Sequence, residues 1–72
     1  MKNYAIAYAN KDGTDLHGYP WIECGFATLQ GATKRCDGLK ASGCHRAFVF
    51  VLPEFGHARI SWEYAESHQA KE

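Results

Sequence analysis

Neither sign of charge predominates in this 72-residue chain. Lys and Arg total 8, Asp and Glu total 8, and the formal net charge is zero. That argues against a generic polyanion binder, which relies on a net cationic surface, but it leaves room for a local basic patch. Long apolar runs are missing as well. No stretch approaches the roughly 20 residues of a membrane-spanning helix, so no membrane partner is expected. The run from Tyr4 to Ala9, with one Lys ahead of it, is too short for a secretory signal and breaks at Asn10. Cysteines number three and show no close-paired spacing. An odd thiol without a framework points to a reduced, cytoplasmic protein.

Chemistry-bearing motifs are also lacking. Cys24, Cys36, Cys44, His45 and His57 are the available soft ligands, but structural zinc sites take paired ligands from tight turns. Here Cys44 and His45 are adjacent, and a helix of roughly 20 Å separates Cys24 from Cys44. A zinc-stapled module is therefore only a third-ranked reading. A Cys–His nucleophile would need Cys44 or Cys36 beside a base. Neighbours in an extended chain point to opposite faces, and no carboxylate is placed to orient His45. Glu63 with Glu66, and Asp12 with Asp15, read as a solvated strand edge and a turn. Gly25 and Gly31 do not make a phosphate-binding fingerprint. No catalysis, cofactor or metal is expected.

What the chain does contain is one well-marked helix. Thr28 is positioned as an N-cap, although Gly31 stands where a capping box would place Glu or Gln. Leu29, Ala32, Cys36 and Leu39 fall on one stripe, and Gly43 suits a left-handed stop. Gly31 and Gly38 lie seven apart on the opposite side, near Lys34. They make either a weak helix held by its packing or a smooth face for another chain.

Strand-like segments lie on both sides of this helix. Tyr4, Ile6 and Tyr8 alternate with Ala5, Ala7 and Ala9, the period of a strand. Asn10 to Asp15 is turn chemistry, and Pro20 should open the next strand, Trp21 to Cys24. Arg46 to Leu52 is apolar on both faces and reads as a central strand. Pro53 to Gly56 reads as a hairpin loop. Ile60, Trp62 and Tyr64 then alternate with Arg59, Ser61 and Glu63 in a fourth strand. The expected fold is α+β: one four-stranded antiparallel sheet with one helix packed on one face, in the order ββαββ. Residues 1–66 form a single domain and 67–72 a polar tail. The expected core comprises Ile6, Ile22, Cys24, Phe26, Phe48, Phe50, Ile60, Trp62 and Tyr64 with the helix stripe.

In that layout the single helix leaves one sheet face uncovered. That face carries Ala5, Ala7, Trp21, Val49 and Val51, rimmed by Glu23, Arg59, Ser61 and Glu63. An apolar centre with a charged rim is what a protein partner would cover, so Trp21, Val49, Val51, Arg59 and Glu63, with Lys34 on the helix, are the candidate partner-binding residues. Lys34, Arg35, Lys40 and Arg46 form a basic cluster that could contact phosphates. The aromatic residues are committed to the core rather than free to stack on bases.

The segment Trp21-Ile-Glu23, followed by Phe26-Ala-Thr-Leu-Gln-Gly-Ala-Thr-Lys-Arg35, resembles small orphan proteins of phages and plasmids. In these, a short strand leads into a Thr-Leu-x-Gly-Ala-Lys type helix opening and a final hairpin. Here Thr33 precedes Lys34 and departs from that opening. The resemblance is one of layout and spans about Trp21 to Tyr64. Some such proteins are anti-CRISPR or other host-takeover inhibitors that bind a host complex in the host cytoplasm, and they share no catalytic residues. The resemblance implies a non-enzymatic inhibitor acting by protein–protein contact with a host complex; the uncovered sheet face would serve equally for self-association. The alternative is a nucleic-acid-binding accessory protein that uses the basic cluster.

Overall fold

The computed structural model describes residues 3–9, 19–44, 46–52 and 60–70. Its elements are β1 (Tyr4–Tyr8), β2 (Trp21–Phe26), α1 (Leu29–Ala41), β3 (Ala47–Val51) and α2 (Trp62–Ser67). The fold is α+β. The sheet has three antiparallel strands in the order β2-β1-β3, so the first strand, not the third, is central. Backbone bonds from Ala9 N–H to Arg46 C=O and from Leu52 N–H to Asn3 C=O, both 2.8 Å, extend the β1–β3 ladder at its two ends. The predicted turns at Asn10–Asp15 and Pro53–Gly56, together with His45, His57 and Arg59, lie outside the described residues.

The helix forms where its local signals place it. Thr28 is the N-cap, and its hydroxyl accepts from Gly31 N–H at 3.1 Å. At the other end Cys44 N–H donates to Leu39 C=O and Gly43 N–H to Lys40 C=O, each at 3.1 Å. This paired closure needs a left-handed residue, and Gly43 supplies it with φ +101°. Ala32, Cys36 and Leu39 are buried, as the stripe predicts. A Cβ at Gly38 would meet nothing within 4 Å. Gly38→Ala should therefore stabilise the protein by about 1 kcal/mol. Its melting temperature should rise by about 4–8 °C, as read by circular dichroism; no rise would show that the smooth face is already in use.

A bulge reverses the facing of residues along β2. Tyr4 pairs with Phe26, but Ile6 pairs with Glu23, so Ala5 stands against both Cys24 and Gly25. The extra residue twists the strand and leaves Gly25 at φ +101°, a conformation that favours glycine. As a result Trp21, Glu23 and Phe26 all share the α1 side, through their partners Tyr8, Ile6 and Tyr4. Ile22 packs on the other face, and Cys24 is exposed.

The third strand is turned by one residue from the expected facing. Val49 pairs with Ile6 and lies in the cluster beneath α1 with Ala32, Cys36, Leu39 and Ala47. Val51, paired with Tyr4, shares that side. Phe48 and Phe50 take the opposite face with Ala5, Ala7, Ile60 and Trp62. The expected open face, with Val49 and Val51 at its centre, is thus the face that α1 covers.

A helix stands where the fourth strand was expected. Ser61 caps α2 by accepting from Tyr64 N–H at 3.1 Å, and Glu63 in the first turn complements the helix dipole. Trp62 and Ala65 are buried against the Phe50 side of the sheet, so the sheet is flanked on both faces. The edge of β3 is then met by residues 68–70, which the sequence assigns to a polar tail outside the domain. Gln69 bridges Phe50, Val51 N–H donates to His68 C=O at 3.0 Å, and Ala70 N–H donates to Val49 C=O at 2.9 Å.

Candidate functional site

The six expected partner-binding residues do not form one surface. Val49 is only 6 % exposed and belongs to the core. Val51 is half-buried on the same side. Glu63 is exposed on α2, beyond the opposite face, and Lys34 is exposed on the outside of α1. Arg59 lies outside the described residues. Trp21 is exposed as expected, at 54 %, but on the α1 side of β2 rather than on the face away from the helix, because it pairs with Tyr8 of the cluster beneath α1.

The layout explains why Trp21 is left out. The helix packs chiefly on β3 and β1 and least on β2, and α2 packs on β3. Both layers are therefore displaced from β2, in which every residue is exposed or half-buried. Tyr19, just before the strand, is 41 % exposed. Among the described residues nothing pairs with the outer edge of β2, whereas β3 is met by the chain's own residues 68–70.

Charge at this edge is held in place. Arg35 Nε donates to Glu23 Oε2 at 2.7 Å and its Nη2 to Oε1 at 3.2 Å, a bidentate pair on the α1 side. Glu23 holds the Arg35 guanidinium above its ordinary value. Arg46 is also engaged. It pairs with Glu66, and its guanidinium sits 4.4 Å from the Trp62 ring centroid and 5.5 Å from that of Phe48. These contacts fasten α2 to the sheet, since a cation over an aromatic face is attracted by the ring's quadrupole. Of the four basic residues predicted for phosphate contact, Arg35 and Arg46 thus have internal partners. Lys34 and Lys40 remain exposed on α1.

A cleft of about 200 Å³ opens between α1 and residues 69–70, floored by Leu29, Cys36 and Val49 and rimmed by Thr33, Asp37, Lys40 and Gln69. Its volume is below the roughly 300–1,000 Å³ of small-molecule sites. Burial pushes the Cys36 thiol up, which keeps it protonated at neutral pH and a poor nucleophile. The three thiols are graded in access: Cys24 exposed, Cys44 intermediate, Cys36 buried. A maleimide should therefore modify Cys24 first and Cys36 last, only as the protein opens. Mass-spectrometric time courses would show it, and early loss of Cys36 would contradict the packing under α1. No group of three His, Cys, Asp or Glu placed to hold a metal occurs among the described residues. No helix among them is long and apolar enough to cross a membrane.

No family model matches the chain, and neither a curated protein nor a solved structure matches it.

Proposed function

We propose that this chain is a non-enzymatic binding protein that works by protein–protein contact, and that its contact surface is the β2 edge. The observation that carries the reading is Trp21, 54 % exposed on a strand whose outer edge no described residue pairs. An unpaired edge offers a row of backbone donors and acceptors to another chain. A large exposed aromatic beside it supplies the kind of anchor that dominates interface energetics. Inhibition of a host complex is the direction suggested by the layout resemblance to small phage proteins over about Trp21 to Tyr64, of which the strand-to-helix opening is kept while α2 occupies the end where their final hairpin would finish.

The test is capture by the immobilised chain, both of proteins from a bacterial lysate and of the free chain itself. Trp21→Lys places a guarding charge on the edge and should reduce capture at least about tenfold. Lys34→Glu, on the far side of α1, should mainly change the rate and salt dependence. If Trp21→Lys alters neither capture, β2 is not the contact surface. Binding to DNA or RNA that falls steeply with salt would instead favour the nucleic-acid reading through Lys34 and Lys40.

A further inference from the structure

We propose that the occupant of the β2 site is an amphipathic helix of a partner protein, laid beside α1 across the α1 side of β2. Its apolar stripe covers Trp21, and acidic residues line the flank that meets α1. The inference rests on the reading of β2 as the contact region and names the kind of partner.

The side chains of β2 form an open strip on the α1 side. Trp21, Glu23 and Phe26 reach it through their partners Tyr8, Ile6 and Tyr4, and Trp21 is 54 % exposed there. The strip has the width of one helix. Strands lie about 4.8 Å apart and a helix is about 10 Å across, so one helix covers two strands. The helix α1 takes β3 and β1, on which it chiefly packs. Packed helices lie about 8–10 Å apart, or two strand spacings, which sets the axis of a second helix over β2. An added strand fits this site less well. The bulge at Cys24 and Gly25 interrupts the outward row of backbone groups, and bulges are one way in which edges resist strand addition.

The flank of α1 beside the strip permits close approach. Arg35 reaches from that flank to Glu23. Gly31 and Gly38, four residues before and three after Arg35, lie next to it on the helix surface. A Cβ at Gly38 would meet nothing within 4 Å, so the space over it is open. The anchor is Trp21; the glycines only set how near its partner comes.

Charge selects the acidic flank. Both oxygens of Glu23 accept from Arg35, which cancels the one negative charge of the strip. That pair uses two of the five N–H donors of a guanidinium, and the Arg35 side chain is 51 % exposed, so donors remain for a partner. Lys34 adjoins Gly31 and Gly38, is exposed, and has no ion-pair partner among the described residues. Asp37 lies on the opposite flank, at the rim of the cleft. The unbalanced charge beside the strip is therefore positive, and carboxylates on the facing flank complement it, as flanking charges do between paired helices.

The probe is a helical peptide of about 18 residues, roughly five turns, with a Leu stripe and Glu along one flank. A second peptide carries Lys in place of each Glu. In a nitrogen–proton NMR titration of the full chain, the Glu peptide should shift the Trp21 indole N–H and the amides of Arg35 and Gly38. The Lys peptide should bind at least about tenfold more weakly. Gly38→Glu should keep the fold, since the space is empty and Glu favours a helix over Gly. It should weaken the Glu peptide at least about tenfold, as should Trp21→Ala. Circular dichroism melting checks that both variants are folded.

No shift of the wild-type signals up to about 1 mM of the Glu peptide overturns the helix. So do shifts that leave Trp21 and Gly38 unmoved, or equal binding of the two peptides by the wild type, a comparison that needs no variant to fold. These outcomes are separable from failure of the binding reading. A chain that ignores both peptides while its lysate capture still depends on Trp21 loses the helix and keeps β2 as the contact region for another kind of chain.

Discussion

Val49→Glu should unfold this protein. Val49 is 6 % exposed beneath α1, packed with Ile6, Ala32, Cys36 and Leu39. No buried polar or charged residue is found among the described ones, so a carboxylate here loses most of its hydration within an apolar cluster, with the polar rim of the neighbouring cleft (Thr33, Asp37, Lys40 and Gln69) beside it, and costs several kcal/mol. A single core in a domain this small supplies about 3–5 kcal/mol of net stability. The substitution therefore removes most or all of it. Circular dichroism should show loss of the cooperative thermal transition at neutral pH. Had Val49 faced outward, as the apolar pattern of its strand also allows, the same substitution would leave a folded protein with altered association. A folded Val49→Glu variant with a melting temperature near that of the wild type would reverse the facing of β3.

Phe50→Ala should be comparably damaging from the other side of the sheet. The Phe50 side chain is fully buried with Ala5, Ala7, Ile60, Trp62 and Ala65. Its backbone is held on both flanks, pairing with Ala5 of β1 and bridging Gln69. The small alanines around it cannot collapse into the space a deleted ring leaves, so the cost should lie at about 3–5 kcal/mol. Urea titration should find the Ala variant largely unfolded without denaturant. Phe50→Leu, which keeps much of the volume, should lose roughly 1 kcal/mol. A Phe50→Ala protein as stable as the wild type would mean that α2 and Ile60 do not form a packed second layer. The two substitutions together test the sandwich: each removes the core on one face, and a one-sided sheet would tolerate one of them.

By itself the sequence determined the helix and the positions of three strands. Thr28, Gly43 and the stripe Ala32-Cys36-Leu39 act through neighbours a few residues apart, and the structure uses each as the local chemistry dictates. Pro20 stands directly before β2 for the same reason, since proline cannot donate to a ladder. Only the tertiary structure decided which face each strand presents. Ala47 to Val51 is apolar at every position, so no alternation records which side α1 will cover. In β2 the facing depends on a bulge opposite Ala5, which is set by pairing with β1. Ser61 to Tyr64 satisfies a strand's period and a helix's over the same few residues. The tie is broken by the Ser61 cap, by burial of Trp62 and Ala65, and by Arg46 from a distant segment, which lies over Trp62 and pairs with Glu66. Trp21 was legible as a surface residue, but its reason for exposure was not. It lies open because both helical layers settle toward β3, a consequence of where the larger apolar side chains of distant segments meet.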